Sequence, residues 1–374
     1  MPSWLKEGRG SLCGANVSLL LREMGITKPL LVAGERTKNV FFARTGMRLP
    51  VFDAFHPNPD LQDCVAGAAL YQEKDCDGLI SVGGVSAMDT AKGIKALLMT
   101  DIAHVRANQL PPEGKVPHLA IPGTAGTGAE TTAVAVLYED GQKLSVDHPA
   151  LLPDGVLLDG SLLDTLPEYH RKSCAMDALA QGIESWWAKK ATPGSRIHAE
   201  RAIRGVLDNL TAYLQGDRKA QDEMLHAAYE SGVAILTTRT TAAHAMSYQI
   251  TKKLGAAHGH ACMLTLPHLW AHLAAQAEYQ PMLTELAHIL GGEKPMDGAI
   301  LLKGLLAVLE LDKIPMPDDA TLDRLAASVN PERLGNHPEA LTTAQLRAIY
   351  VQAFTPMTDT ERAEAIAAWE QYGK

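Results

Sequence analysis

Along the first part of the chain, short apolar runs are followed by longer windows with helical periodicity, which indicates strands and helices in turn. Apolar runs end in glycine or proline turns, which is typical of buried parallel strands. The predicted strands are LLVAG (30–34), PVFDAF (50–55), GLISVGG (78–84) and HLAIPG (118–123), and the helical windows between them are 60–75 and 86–99. This alternation predicts an α/β domain with a parallel sheet. AVAVLYED and QKLSVDHP, which flank Gly141, predict an antiparallel hairpin appended to it.

The pattern changes after Pro167. Strand-like runs stop, and long windows rich in Ala, Leu, Glu and His follow, such as CAMDALAQGIESWWAKK and AQLRAIYVQAFT. Their periodicity is that of amphipathic or buried helices. The sequence therefore predicts two domains, an α/β domain at 1–167 and an all-helical domain at 168–374.

Length, composition and charge narrow the class of protein. With 374 residues, 46% of them hydrophobic and 21% charged, the chain has the composition of a globular protein with about two domains. Its net charge of −9 argues against a nucleic-acid partner or an anionic membrane surface. We find no signal peptide and no membrane-spanning run of about 18 apolar residues. The five cysteines are widely spaced and include no CxxC pair, so we expect the reducing cytoplasm.

Two loops rich in glycine and hydroxyl groups each follow a predicted strand. They are GGVSAMDTAK (83–92) and TAGTGAETT (124–132). Glycines at a strand-to-helix junction let backbone N–H groups approach a phosphate, next to the positive end of the following helix. A tight turn in which Ser86 caps the helix would explain the first loop alone, but two such loops favour a dinucleotide. The residues predicted to contact it are Gly83, Gly84, Ser86, Thr124, Thr127 and Thr131.

The helical domain contains a histidine-rich stretch, residues 244–268, with four of the fourteen histidines of the chain. His244 lies in a predicted helix, and His258 follows a glycine-containing loop. A third candidate is Asp177 in the apolar run CAMDALAQGI, where an unpaired buried carboxylate would be costly. Gln181 lies one helical turn later on the same face. Imidazole and carboxylate groups bind a divalent metal at about 2.0–2.2 Å, so we predict a metal site, with a salt bridge or cap for Asp177 as the alternative.

These motifs resemble those of the iron-dependent (group III) alcohol dehydrogenases. GGVSAMDTAK is similar to their GGGSxxDxAK, and IPGTAGTGAETT to their PTTAGTGSE. MDALAQGIES resembles their MDALxHxxE, and AAHAMSYQITKKLGAAHGHA their segment with the last two histidine ligands. The resemblance implies a dehydroquinate synthase-like fold with an α/β dinucleotide-binding domain and an all-α metal-binding domain. It also implies NAD(P) contacts at Asp89 and Gly34, and a divalent metal, Fe²⁺ or alternatively Zn²⁺ or another ion, at Asp177, Gln181, His244 and His258.

Three departures from the family pattern change the expected chemistry. Gln181 replaces a histidine ligand, and its amide oxygen is a weaker donor than imidazole. Tyr248 replaces a histidine associated with the proton relay, which leaves Tyr248 or His260 as the catalytic proton donor. Val85 replaces the third glycine of the first loop. With these departures, the sequence resembles the branch of the family formed by phosphonoacetaldehyde reductases (2-hydroxyethylphosphonate dehydrogenases).

The resemblance implies an NAD(P)-dependent enzyme that reduces a small aldehyde to a primary alcohol. A phosphonate head group would need positive charge, for which Lys252 and Lys253 are the candidates, with Lys92 or Arg36 as alternatives and solvent exposure of both lysines as the competing interpretation. After Gly34 the chain continues with Glu35, Arg36 and Lys38, so we expect use of both NADH and NADPH.

Other interpretations stay open at this point. They are a generic group III dehydrogenase of short-chain alcohols or diols, a dehydroquinate-synthase-like cyclase, and a non-catalytic NAD(P)-binding protein. A homodimer is compatible with the sequence, which does not determine the oligomeric state.

Overall fold

The computed structural model describes residues 6–111 and 116–372. The chain divides into two compact units, Met1–Thr165 and Leu166–Lys374. The division lies two residues from the boundary expected at Pro167. Within the described residues, no helix has both the length and the apolar character needed to span a membrane.

The first unit is an α/β fold, as predicted. Its strands are β1 (Lys6–Arg9), β2 (Pro29–Ala33), β3 (Val51–Phe52), β4 (Gly78–Gly83), β5 (His118–Pro122), β6 (Val134–Glu139), β7 (Gln142–Asp147) and β8 (Gly155–Leu158). Its helices are α1 (Gly14–Glu23), α2 (Glu35–Thr45), α3 (Leu61–Glu73), α4 (Val85–Met99) and α5 (Ile102–Arg106). Short 3₁₀ turns occur at Ala129–Thr131, Pro149–Leu151 and Gly160–Leu163.

Within the described residues one sheet has the order β1-β8-β5-β4-β2-β3, and every pair in it is parallel. Strand β2 shows why such strands are apolar throughout. Its Leu30 and Val32 pack on one face with α3, α4 and the β6–β7 hairpin, whereas Leu31 and Ala33 pack on the other with α1 and α2. Because both faces are covered, neither set of alternating positions can be polar.

The predicted strands and hairpin of this unit are confirmed with adjusted ends. The strand predicted at 50–55 is shorter, Val51–Phe52, and β1 and β8 are not among the predicted strands. The hairpin β6–β7 is antiparallel and turns at Asp140 and Gly141, which both have positive φ, the geometry of a tight two-residue hairpin turn.

The second unit is helical. Its helices are α6 (Glu168–Trp187), α7 (Pro193–Leu214), α8 (Arg218–Thr238), α9 (Ala242–Gln249), α10 (His258–Ala274), α11 (Gln280–Leu290), α12 (Asp297–Val308), α13 (Asp319–Ala327), α14 (Pro331–Leu334), α15 (Thr343–Phe354) and α16 (Asp359–Tyr372). Helix α6 packs against α7, α8 and α10, and fourteen of its residues, Ser173 and Ala175–Trp187, are buried. A π-helical turn, Ile250–Leu254, follows α9 directly. The centre of this unit is therefore α6, the helix that carries Asp177.

Candidate metal centre and nucleotide-binding loops

Four side chains from three helices of the second unit converge on one point. They are Asp177 of α6, His244 of α9, and His258 and Cys262 of α10, and their potential ligand atoms all lie within 4.8 Å of one another. We call these four residues the metal cluster. The structure brings together three of the four predicted ligands, and it adds a cysteine that was not predicted. His258 is the first residue of α10, directly after the glycine-containing loop that the sequence predicts.

Both imidazoles of the metal cluster point the same ring nitrogen at the same carboxylate. His244 Nε2 lies 3.2 Å from Asp177 Oδ1, and His258 Nε2 lies 3.9 Å from that oxygen. The opposite nitrogen of each ring is held by a neighbour. His244 Nδ1 bonds to Glu184, and His258 Nδ1 lies 3.3 Å from the hydroxyl of Ser247. Each imidazole is therefore oriented by its Nδ1 contact and leaves Nε2 as the donor.

Glu184 is a supporting residue that the sequence interpretation omitted. It is fully buried, and its Oε1 accepts hydrogen bonds from the Thr241 backbone N–H (3.0 Å) and hydroxyl (2.6 Å) and from the Ala243 N–H (2.9 Å). Its other oxygen bonds to His244 Nδ1. A carboxylate behind a histidine in this way fixes the ring and strengthens it as a metal ligand. The spacing of seven residues from Asp177, two helical turns, was the available signal.

The charges of the metal cluster favour a cation at its centre. Burial alone would raise the pKa of Asp177, but His258 and His244 outweigh it and hold that pKa below its usual value. Burial would lower the pKa of His258, but Cys262 and Asp177 raise it to about 9. Burial would raise the pKa of the Cys262 thiol, yet the two imidazoles lower it. The buried carboxylate of Asp177 and the thiol of Cys262 are thus stabilised by nearby positive charge. That charge can come from protonated imidazoles or from a divalent metal.

Gln181 lies beside the metal cluster but is turned away as a ligand. Its Nε2 is 3.4 Å from Asp177 Oδ1, and its Oε1 accepts a hydrogen bond from the Ser231 hydroxyl at 2.8 Å. An amide NH₂ group donates hydrogen bonds and has no lone pair for a metal. In this orientation Gln181 supports Asp177, and ligation by Gln181 stays a prediction that requires the amide to turn over.

The two predicted proton donors have different surroundings. The Tyr248 ring stacks on His258 with centroids 6.1 Å apart and an interplanar angle of 5°, so Tyr248 borders the metal cluster. His260 is buried, and its ring nitrogens contact the Leu311 carbonyl (2.8 Å) and the Tyr169 hydroxyl (3.1 Å). His260 therefore bonds to residues outside the metal cluster, whereas Tyr248 lies against one of its members.

Lys252 and Lys253 are exposed and lie in the π-helical turn, as the competing interpretation expected. The alternatives from the other unit are engaged elsewhere. Lys92 is fully buried, and its ammonium donates to the carbonyls of Ala129 (2.7 Å) and Val134 (2.9 Å). Arg36 donates to the Thr165 carbonyl at 3.0 Å.

In the first unit, the two predicted nucleotide loops meet at the carboxyl ends of neighbouring strands β4 and β5. The Gly123 N–H donates to the Gly83 carbonyl at 2.7 Å, and a Cβ on Gly123 would lie 3.2 Å from Gly83 Cα. Gly83 has φ +142°, which favours glycine. A Cβ on Gly84 would lie 3.3 Å from the Thr124 side chain. Side chains at Gly123 or Gly84 would press against the neighbouring loop, so glycine lets the two loops lie close together.

The helix ends at this edge of the sheet also suit an anion. Gly34 and Gly84 are the N-cap residues of α2 and α4, and neither helix has a side-chain cap, so the first N–H groups are available to a phosphate. Ser86 is inside α4, so the alternative in which it caps the helix is wrong, and its contact with a phosphate stays a prediction. The strand order reverses between β2 and β4, the place where dinucleotides bind in such sheets.

The remaining predicted cofactor residues have structural contacts. Asp89 is buried and accepts a hydrogen bond from the Val136 N–H at 3.0 Å, and burial raises its pKa to about 6 despite nearby Lys92. Thr131 is buried and donates to the Gly128 carbonyl at 2.9 Å. Thr127 Oγ1 accepts from the Ala129 N–H at 3.3 Å. Thr127 and Thr131 shape the second loop, whereas Asp89 binds the backbone of β6. Direct contact of these residues with a cofactor stays a prediction.

Gly259 determines how closely α10 can approach α6. A Cβ at this position would lie 1.9 Å from the Ser173 carbonyl oxygen and 2.7 Å from Asp177 Cβ. Contacts this short require the helices to move apart. The neighbouring His258 can therefore reach Asp177 only because residue 259 is glycine.

We expect Gly259→Ala to lower the affinity for a divalent metal by at least about tenfold, the loss typical when the surroundings of a ligand are disturbed. Metal per chain, measured by mass spectrometry with circular dichroism as a fold check, tests this. Gly194→Ala is the control, because its Cβ would have Thr192 Oγ1 at 3.8 Å as its nearest neighbour. Wild-type metal affinity in Gly259→Ala would contradict the packing argument.

Two family profiles and several known proteins are similar to this chain. The profile of the family described as iron-containing alcohol dehydrogenase matches residues 3–160, and that of the Fe-containing alcohol dehydrogenase family, C-terminal, matches residues 172–354. An NAD-dependent methanol dehydrogenase of Bacillus methanolicus is 30% identical over 75% of this chain and 77% of its own length.

Two further relatives are aldehyde reductases. A phosphonoacetaldehyde reductase of Streptomyces viridochromogenes is 35% identical over 57% of this chain, and the match spans only 58% of that relative. A sulfoacetaldehyde reductase from Bifidobacterium kashiwanohense, solved in complex with NAD⁺, superposes with a TM-score of 0.85 and 25% identity over 95% of this chain and 97% of its own. The two profiles match most of both units, and the chain therefore belongs to the iron-containing alcohol dehydrogenase family.

Proposed function

We propose that this protein reduces a small aldehyde bearing an anionic head group, phosphonoacetaldehyde in the first instance, to the primary alcohol. The observation that carries the proposal is the metal cluster, with Asp177, His244 and His258 aimed at one point in a chain of this oxidoreductase family. The choice of substrate is supported by the likeness to a phosphonoacetaldehyde reductase and to a sulfoacetaldehyde reductase. Both names specify an aldehyde with an acidic group.

When bound, a divalent metal supplies a Lewis acid for the carbonyl oxygen, and the nicotinamide supplies the hydride. The chain contributes the rest. Asp177, His244 and His258 would hold the ion, and Glu184 keeps His244 in its tautomer and orientation. Tyr248, stacked on His258, is proposed to deliver the proton that completes the hydroxyl group of the product. Aldehyde, reduced cofactor and one proton thus give alcohol and oxidised cofactor.

The charged residues that follow Gly34 bear on the choice between NADH and NADPH. Lys38 Nζ lies 2.5 Å from Glu35 and 2.6 Å from Asp53, so two carboxylates share its charge. Arg36 is bonded to a backbone carbonyl. These contacts leave little positive charge for a 2′-phosphate, which carries negative charge of its own. We therefore propose NADH as the better cofactor, with NADPH accepted more weakly.

An assay of aldehydes with NADH and NADPH, after metal reconstitution, tests the proposal. We expect kcat/KM for phosphonoacetaldehyde to exceed that for propanal roughly tenfold or more, since one charged hydrogen bond is worth about 1.5–3 kcal/mol. Equal or better turnover of propanal or other neutral aldehydes would contradict the substrate and favour a general alcohol dehydrogenase. That second candidate has support in the methanol dehydrogenase likeness.

We propose that Lys252 and Lys253, the exposed lysines of the π-helical turn, bind the phosphonate group of the substrate. If so, Lys252→Ala or Lys253→Ala raises KM for phosphonoacetaldehyde about ten- to a hundredfold, the worth of a lost charged hydrogen bond, and leaves KM for propanal unchanged. Lys219→Ala, an exposed lysine of α8, is the matched control. Equal changes for charged and neutral aldehydes would rule out both lysines.

A further inference from the structure

Cys262 is the member of the metal cluster that the motifs do not account for. It lies four residues after His258 on α10, so the two side chains share one helix face. Its Sγ is 3.9 Å from His258 Nε2, and it belongs to the set of potential ligand atoms within 4.8 Å of one another. The residue is fully buried. Its neighbours are therefore metal-binding side chains and not solvent.

The other buried cysteine shows what an ordinary core thiol looks like in this protein. Cys64 packs among Leu61, Ile94 and other apolar residues of the first unit, and its Sγ points to the Thr90 carbonyl at 3.8 Å. Cys262 instead contacts an imidazole that also faces Asp177. Filling apolar space explains Cys64 and does not explain the position of Cys262.

The competing fourth donor is Gln181, and its orientation disfavours it. Its carbonyl oxygen is bonded to the Ser231 hydroxyl, and its NH₂ group faces Asp177. Coordination by Gln181 would require the amide to turn over, with the Ser231 hydroxyl then donating to the Ala228 carbonyl at 2.7 Å and accepting from the amide NH₂. Cys262 already presents a donor atom to the same point.

We infer that the Cys262 thiolate is the fourth protein ligand of the divalent metal, beside Asp177, His244 and His258. This inference deepens the proposed function, because it completes the ligand set of the same site. Metal–nitrogen bonds of about 2.0–2.1 Å and metal–sulfur bonds of about 2.3 Å imply ligand-to-ligand edges of roughly 3.3–3.7 Å in a tetrahedron. Three of the six edges are 3.2 Å from His244 to Asp177 and 3.9 Å from His258 to Asp177 and to Cys262. All six are within 4.8 Å, so binding an ion would draw the side chains together by about 1 Å at most.

The assignment also predicts a metal preference. A thiolate is a softer donor than an imidazole or an amide oxygen, and soft donors shift selectivity towards Zn²⁺ and away from ions that prefer oxygen. We therefore expect the site to hold Zn²⁺ and Co²⁺ more tightly than Mn²⁺. We expect Cys262→Ser to lower Zn²⁺ affinity by more than the roughly tenfold that loss of a supporting contact can cost.

Substitution with Co²⁺ tests for a thiolate ligand by absorption spectroscopy. The 374-residue chain is stripped of metal with a chelator and reconstituted with Co²⁺, and thiolate-to-cobalt charge transfer is recorded in the near-ultraviolet. We expect the band in the wild type, in Gln181→Ala and in Cys174→Ser, a control thiol on α6 outside the metal cluster. We expect Cys262→Ser to lose the band but keep the visible cobalt bands.

A measurement on the wild type alone protects the test against variants that fail to fold. X-ray absorption of the zinc-loaded protein should show one sulfur at about 2.3 Å. Absence of that sulfur shell, or a charge-transfer band that persists in Cys262→Ser, would overturn the assignment.

Aldehyde reduction by the wild type is measured in parallel. A sulfur shell without aldehyde reduction would contradict the proposed function and leave the ligand assignment intact. Reduction without a sulfur shell would contradict the assignment alone.

Discussion

The buried carboxylate of Asp177 is the group on which the helical unit depends. It is fully enclosed on α6, among alanine and leucine neighbours, where a lone negative charge would be costly. His244 and His258 outweigh that cost of burial and keep its pKa low. The imidazoles in turn need fixed partners, which Glu184 and Ser247 provide. A divalent cation would satisfy all these groups at once, which explains why so many polar side chains are buried at one point.

Helix packing makes this arrangement possible. Asp177 lies on the helix that α7, α8 and α10 surround, so its position is set by the core of the unit. Gly259 lets α10 touch α6 beside Asp177, and the bonds from Glu184 to Thr241 and Ala243 fasten the start of α9 to α6. Side chains held by rigid helices in this way keep their geometry without a bound ion.

Much of the fold and part of the site could be predicted from the sequence. Apolar runs predicted strands such as β4, because both faces of the sheet are covered. The glycine-rich loops could also be located, because glycine lets two backbone segments approach closely. The presence of Cys262 in the metal cluster could not be predicted, because a buried cysteine is usually only a small apolar residue. The amide direction of Gln181 and the bonded state of His260 depend on Ser231 and Leu311, which lie far away in the chain. Local pattern carries no information on such contacts.

The most direct test of the account is the aldehyde-dependent oxidation of NADH by metal-free protein, followed by titration with a divalent metal. We expect the stripped protein still to bind NADH, because the glycine loops and the metal cluster belong to different units, but not to oxidise it. One equivalent of metal per chain should restore the rate. Full activity in the stripped protein would contradict the claim that the metal cluster is a catalytic metal centre.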